Sequence, residues 1–234
     1  QRFADLGKSV SEMSVVGNVK FDITAPDWVV TKAAQLKQDW QLTNRKIMVL
    51  ASTHAPEELQ LLTELKAALQ AEQNLLCIVV PRHPERFDEV FQITQQLGLN
   101  TKRRSLQQAV DANTQVYLAD SMGELWLWYA LSQVAYVGGS LNEPGGGHNI
   151  LEPVALDVAT VLGKNYFNFQ SIVDEFVAAE AVYVVEDAEQ AVETLTQLLF
   201  EPALRAQLNQ NAQVIMYKNR GSLMEHIHVI NQYL

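Results

Sequence analysis

The residues with the clearest chemical potential lie in one glycine-rich run in the second half of the chain. Gly138, Gly139 and Ser140 follow an apolar stretch, and three further glycines precede His148 and Asn149. Glycine lets backbone N–H groups approach a ligand closely, and a helix N-terminus favours negative charge. Because a helix is predicted to begin at the end of this run, the run indicates a cradle for a phosphate or a carboxylate.

Two polar side chains at the end of the run extend this interpretation. Asn149 and Glu152 are three residues apart, so both lie on one face of the predicted helix. Asn149 is placed to help bind an anion, and Glu152 to accept hydrogen bonds from the vicinal hydroxyls of a ribose. The alternative for Glu152 is an ordinary first-turn carboxylate that the helix dipole stabilises. The first interpretation favours a nucleotide as the ligand.

Arg82 and three histidines also follow predicted strands. Arg82 comes directly after an apolar run and Pro81, and its guanidinium suits a phosphate or a carboxylate. A surface ion pair is the alternative for this arginine. The spacing of His54, His83 and His148 matches no zinc motif, so no metal site is expected. The three imidazoles are interpreted as hydrogen-bond donors to a ligand or as structural caps.

A third candidate segment is the turn that contains Met122 and Gly123. Backbone groups at such a turn, between a strand and a helix, can read the edge of a nucleotide base. A plain helix start explains the same residues equally well.

These candidates depend on a parallel sheet that brings strand ends together. Short β-rich runs alternate with helical patterns, which is typical of α/β proteins, and such sheets bind ligands at the carboxyl ends of their strands. The predicted strands are 47–51, 75–80, 99–103, 115–118, 134–137, 158–162 and 182–185, with a further one at 17–22. The predicted helices are 27–40, 57–72, 85–97, 123–131, 150–155, 169–179, 188–200, 202–217 and 222–233.

Composition limits the classes of function. The chain has 234 residues and a net charge of −10, which argues against nucleic-acid binding. The single cysteine, Cys77, lies in an apolar run and is predicted to be a buried thiol. No signal peptide or transmembrane stretch is apparent, and the first residue, Gln1, suggests a processed or truncated product. Residues 15–234 are predicted to form one domain, preceded by a connecting segment at 1–14.

The motifs that are absent narrow the choice further. No GxGxxG follows the first predicted strand, and the chain has neither a P-loop nor a GxSxG nucleophile motif. The glycines that suit a ligand come late, after the fifth predicted strand. That placement is typical of the donor half of a two-domain glycosyltransferase.

Five blocks of sequence resemble the 3-deoxy-D-manno-octulosonic acid (Kdo) transferases, in the order that this family has. The blocks are GNVKFD at 17–22, ASTH at 51–54, PRHPERF at 81–87, DSMGE at 120–124, and VGGSL at 137–141 with GGHNILEP at 146–153. The resemblance implies the C-terminal domain of a GT-B glycosyltransferase, an α/β fold whose Rossmann-like parallel sheet carries helices on both faces. It implies CMP-Kdo as the donor, a lipid A precursor as the acceptor, and no cofactor or metal.

The resemblance also implies a role for each candidate residue. Arg82 would contact the donor's phosphate or carboxylate, and Glu152 would hold the ribose. The residues that would line the anion site are Gly138, Gly139, Ser140 and Asn149. Met122 and Gly123 would lie near the cytosine, and the second-tier contacts would be His54, His83 and His148.

In this family the catalytic carboxylate and the membrane-anchoring segment belong to the N-terminal half, which has no counterpart here. The resemblance therefore implies no catalytic residue in this chain, which would bind CMP or CMP-Kdo without transferring sugar. The parent enzyme would work at the cytoplasmic face of the bacterial inner membrane. The alternatives are a donor domain for a UDP-sugar and a non-catalytic nucleotide-binding module.

Overall fold

The computed structural model describes residues 2–10 and 13–232, and one sheet of seven parallel strands lies at its centre. The strands are β1 Lys46–Thr53, β2 Leu75–Pro81, β3 Thr101–Arg103, β4 Val116–Leu118, β5 Val134–Val137, β6 Ala159–Gly163 and β7 Tyr183–Val185. Their order in the sheet is β3-β4-β2-β1-β5-β6-β7. The predicted parallel α/β sheet is confirmed.

Helices cover both faces of this sheet. They are α1 Arg2–Asp5, α2 Asp27–Asp39, α3 Glu57–Ala71, α4 Phe87–Gln96, α5 Leu125–Leu131, α6 Leu151–Ala155, α7 Gln170–Ala178, α8 Ala188–Phe200, α9 Pro202–Asn219 and α10 Ser222–Asn231. On β1, Met48 and Leu50 pack with α3 and α8, whereas Ile47 and Val49 pack with α2 and α5. Side chains alternate along a strand, so the apolar run of β1 fills two separate cores.

The order of the strands places the candidate site. The chain runs outward from β1 to β2, and it later returns to pair β5 with the other edge of β1. Ligands of doubly wound sheets bind where the strand order reverses in this way, beyond the carboxyl ends of the strands. The loop after β1 carries His54, and the loop after β5 carries the glycine-rich run. Both therefore meet at the reversal.

Some predicted elements differ from the structure. The strand predicted at 17–22 is wrong, because Val19–Phe21 forms a 3₁₀ turn in which Asn18 accepts the N–H of Lys20 through its side chain. The helix predicted from 85 begins with a 3₁₀ turn at Pro84–Arg86, and the helix predicted from 123 begins at Leu125. Other predicted bounds differ by a few residues. Gln1, Ser11, Glu12 and Tyr233, which belong to predicted segments, lie outside the described residues.

Cys77 is fully buried, as predicted, in the middle of β2. Burial raises the pKa of its thiol. This side chain is therefore part of the core and does not supply a reactive thiolate.

The turn that replaces the predicted strand fastens the last helix to the domain. The carboxylate of Asp22 accepts the N–H of Gly221 at 2.6 Å and the N–H of Leu223 at 2.5 Å. These amides belong to the N-terminal turn of α10, whose N–H groups have no partner within the helix. Their hydrogen bonds hold the pKa of Asp22 below its ordinary value. A Cβ atom at Gly17 would lie 2.5 Å from the hydroxyl of Ser222, so this approach also requires glycine.

We expect Asp22→Asn to destabilise the domain by about 1 kcal/mol, or about 2–4 °C in Tm, because it weakens the cap of α10. Asp22 has a lowered pKa in the folded state, so its contribution is complete above the unfolded value of about 3.9. The contribution is lost as the pH falls through the lower folded value. Thermal unfolding at several pH values should show the Tm difference closing in acid. Asp39→Asn is the control, and a Tm difference independent of pH would contradict this explanation.

Candidate functional site

The carboxyl ends of three neighbouring strands bring the three histidines together. The Nε2 atoms of His54 and His148 are 2.8 Å apart, and the two rings stack with centroids 5.1 Å apart. His83 approaches His54 edge-on, with ring centroids 4.9 Å apart. The histidines thus form one cluster at the reversal of the strand order. Within residues 2–10 and 13–232, no three histidine, cysteine or acidic side chains are arranged to hold a metal ion.

Two of these imidazoles are uncharged near neutral pH. Burial lowers the pKa of His148 to about 4, and the neighbouring His54 and Arg82 act in the same direction. Burial also lowers the pKa of His54, although the Glu57 carboxylate opposes the change. A neutral imidazole donates from one ring nitrogen and accepts at the other. One ring of the pair therefore donates its Nε2–H to the other.

The loops that follow the carboxyl ends of the strands form the rim of the sheet. Arg82 is an exposed cation on this rim. It is exposed in the loop after β2, where its backbone N–H donates to the carbonyl of Thr53 at 3.0 Å. Its guanidinium has no carboxylate partner in the part of the chain that the structure describes. Three neighbouring arginines are paired instead: Arg86 with Glu58 at 2.6 Å, Arg103 with Asp120 at 2.7 Å, and Arg104 with Glu124 at 2.6 Å.

The N–H groups of the glycine-rich loop face one buried carboxylate, that of Glu57 at the start of α3. Its side chain has no solvent exposure. Its five donors are the backbone N–H groups of His54 at 2.9 Å, Gly139 at 2.8 Å, Ser140 at 3.0 Å and Leu141 at 2.9 Å, and the hydroxyl of Tyr136 at 2.7 Å. These donors satisfy both oxygens of the side chain. The predicted cradle therefore exists, and the protein fills it with its own carboxylate.

This arrangement gives the N–H groups of Gly139 and Ser140 a partner within the protein, since both donate to Glu57. Their predicted place in the lining of an anion site stays a prediction, but these amides are not free to make the contact. Ser140 is completely buried, and its hydroxyl donates to a backbone carbonyl and accepts the N–H of Gly163 at 2.7 Å. The N–H of Gly138 donates to the carbonyl of Ala51 at 2.8 Å. All three residues are used to build the loop.

Glycine is needed in this loop for close packing. A Cβ atom at Gly138 would lie 2.7 Å from the backbone of both Ser52 and Thr53. Gly139 has a φ of +67°, and a Cβ atom there would lie 2.9 Å from the His148 ring. Such distances are shorter than real side chains show, so any larger residue would push the exits of β1 and β5 apart.

Asn149 lies two residues before α6 begins at Leu151, so the prediction that it shares a helix face with Glu152 is wrong, although the two side chains are close together. Burial raises the pKa of the Glu152 carboxyl, and the hydrogen bond that Asn149 donates to it acts in the opposite direction. Asn149 also accepts the N–H of Leu151 at 3.1 Å. The anion contact predicted for Asn149 at the start of this five-residue helix stays a prediction. A half-buried carboxylate at this position suits hydroxyl groups, and its contact with a ribose stays a prediction.

Met122 and Gly123 form the turn that follows β4. The Met122 side chain is 59% exposed, and Gly123 has a φ of +80° with open space beside it. Asp120, at the end of the same strand, instead accepts the N–H of Ser105 at 2.8 Å and is paired with Arg103. The turn is therefore accessible to a ligand, and its contact with a base stays a prediction.

Sequence reasoning missed Glu57 and the buried pair of Glu58 with Arg86. Glu57 and Glu58 are adjacent acidic residues in the first turn of a predicted helix, where the dipole favours negative charge. That pattern describes an exposed helix start as well as it describes two buried carboxylates. A signal for the pair was present in the block PRHPERF, where Arg86 lies four residues after Arg82 and offers a second cation.

A parallel sheet with a polar edge at the reversal of its strand order defines a doubly wound α/β domain, a class whose ligands bind at that edge. The family model for glycosyl transferases group 1 matches residues 35–214 of this chain. The chain is 37% identical over its whole length to the 3-deoxy-D-manno-octulosonic acid transferase of Haemophilus influenzae, covering 55% of it. It is 32% identical over 94% of its length to the enzyme of that name from Bordetella pertussis, covering 52% of it. It thus spans about half the length of these curated relatives.

Solved structures agree with these matches. The crystal structure of the C-terminal CMP-Kdo binding domain of WaaA from Acinetobacter baumannii superposes with a TM-score of 0.80 and 59% identity, over 81% of this chain and 98% of that one. The C-terminal domain of a group 1 glycosyl transferase from Francisella tularensis shares the fold, with a TM-score of 0.53 and 18% identity, over 86% and 96%. The chain belongs to the glycosyl transferases of group 1 and, within them, to the 3-deoxy-D-manno-octulosonic acid transferases. None of its described helices is long and apolar enough to cross a bilayer.

Proposed function

We propose that this chain is the donor-binding domain of an enzyme that transfers Kdo from CMP-Kdo to a lipid A precursor. The names of its relatives support the sugar, and the name of the Acinetobacter domain supports the nucleotide. The observation that carries the proposal is Arg82, an exposed guanidinium without a carboxylate partner in the described residues, beside the histidine cluster. A donor with a phosphate and a sugar carboxylate supplies the anions that this rim lacks.

The remaining candidates complete the proposed site. Glu152 accepts hydrogen bonds from the ribose hydroxyls, with Asn149 beside it, and Met122 and Gly123 lie along the cytosine. The histidine cluster of His54, His83 and His148 donates hydrogen bonds to the sugar or to its carboxylate. Transfer requires no cofactor and no metal in this proposal.

The acceptor side belongs to the rest of the parent enzyme. By resemblance, the catalytic carboxylate and the membrane anchor lie in the N-terminal half of the family. The parent enzyme therefore works at the cytoplasmic face of the bacterial inner membrane. Residues 1–234 on their own bind CMP and CMP-Kdo but do not transfer sugar.

The first test is calorimetric titration of CMP into the wild type and into Arg82→Ala. We expect the variant to bind about 10- to 100-fold more weakly, because a charge-assisted contact to the phosphate is lost. Lys37→Ala in α2 removes an exposed cation far along the chain from the rim and should bind CMP normally. Unchanged affinity in Arg82→Ala would remove Arg82 from the site. Tighter binding of UMP than of CMP would favour a UDP-sugar transferase instead.

The second test compares CMP with 2′-deoxy-CMP in the wild type and in Glu152→Gln. The wild type should prefer CMP by about 10-fold, because 2′-deoxy-CMP lacks the hydroxyl that donates to the Glu152 carboxylate. That preference should largely disappear in the variant, because an amide oxygen accepts a weaker hydrogen bond than a carboxylate does. Glu189→Gln, at the exposed start of α8, should keep the wild-type preference. An equal preference in the wild type and in Glu152→Gln would show that the ribose binds elsewhere.

The third test is a transfer assay with freshly prepared CMP-Kdo and a lipid A precursor. Residues 1–234 alone should give no product, because the proposed base for the acceptor hydroxyl lies outside them. The full-length Haemophilus influenzae enzyme, run in parallel, is the positive control. Product from this chain alone would mean that it carries its own catalytic base.

A further inference from the structure

The loop after β5 has the geometry of a phosphate-binding nest. Three successive backbone N–H groups, those of Gly139, Ser140 and Leu141, converge on one acceptor. Successive amides that point into a shared concavity commonly bind phosphate groups. Here the concavity holds both oxygens of Glu57, a completely buried side chain that α3 provides.

A ligand phosphate gains nothing from this nest while Glu57 occupies it. Displacing the carboxylate would leave it buried without hydrogen-bond donors, which is strongly unfavourable. A phosphate placed directly over the loop would face the negative carboxylate through a poorly screened interior. Ligand anions must therefore rely on Arg82 and on the imidazoles at its side.

This rim has little positive charge to offer. Arg82 is the one arginine of the rim without a carboxylate partner in the described residues, and His54 and His148 are hydrogen-bonded to each other. Such a site accommodates one phosphate well. A second phosphate on the same nucleotide would need the nest that Glu57 fills.

From this geometry we propose that Glu57 determines specificity: its carboxylate fills the phosphate nest and so selects a nucleoside monophosphate donor over a nucleoside diphosphate. The inference rests on the proposed function, because it concerns the same site. It differs from a purely structural role for Glu57. Loss of a structural support would weaken both kinds of nucleotide together, whereas loss of a specificity determinant changes their ratio.

The test is calorimetric titration of CMP and of CDP, in buffer with EDTA so that no divalent ion masks the second phosphate. The two ligands share base and sugar and differ by one phosphate. We expect the wild type to bind CMP at least about 10-fold more tightly than CDP. In Glu57→Gln, which removes the negative charge and keeps the size, that ratio should fall toward 1. Glu64→Gln is the control, because it removes a carboxylate from an exposed position of the same helix, and its ratio should stay at the wild-type value.

Each result decides the proposal. Equal binding of CMP and CDP by the wild type, or an unchanged ratio in Glu57→Gln, overturns the role of Glu57 while the proposed function stands. Failure of the wild type to bind either nucleotide contradicts the proposed function itself. If thermal unfolding shows that Glu57→Gln does not fold, the wild-type ratio still tests the proposal, since equal binding of CMP and CDP there overturns it.

Discussion

The rim of this domain depends on the burial of one carboxylate. Glu57 has no solvent exposure, and a buried carboxylate is tolerated only when hydrogen bonds satisfy its oxygens. The donors come from the exit of β1 at His54, from Tyr136 on β5 and from the loop that follows β5. One side chain thereby joins α3 to the two strands at which the sheet order reverses. That junction holds the exit of β1 at His54 against the loop that carries His148.

A consequence is that the backbone amides of the loop and the side chains of the rim have different partners. In many phosphate sites the amides of a glycine-rich loop hold the ligand directly. Here the amides hold Glu57, and the loop in turn places His148 against His54 with their Nε2 atoms 2.8 Å apart. The loop amides are thus already used within the protein, whereas Arg82 on the same edge of the sheet is exposed and has no carboxylate partner among the described residues. The local cation matters because Arg86 and the other arginines of the rim are already neutralised by carboxylates.

The sequence predicted the sheet and the edge at which the candidate residues meet, because alternating β-rich and helical patterns determine which loops share an edge. The convergence of His54, His83 and His148 follows from that topology. The use of the glycines was not predictable, since a run of glycines looks the same whether its amides bind a ligand or an internal carboxylate. Glu57 escaped notice for a similar reason, because acidic residues are ordinary in a first helical turn. Burial depends on which distant loop folds over a residue, and local spacing contains no record of that.

The five blocks that resemble the family contain both kinds of residue, those with a structural role and those exposed at the site. In the first block, GNVKFD at 17–22, the Asp22 carboxylate accepts two N–H groups at the start of α10. These hydrogen bonds attach the last helix to the domain, which is a structural role. The block PRHPERF shows the contrast within a few residues. Arg82 and Arg86 have identical chemistry, yet Arg86 is committed to a buried Glu58 and Arg82 is exposed. A shared motif therefore marks a region of the chain as a whole. The partners of each side chain in the folded structure show which residues are used in internal contacts and which are left exposed to a ligand.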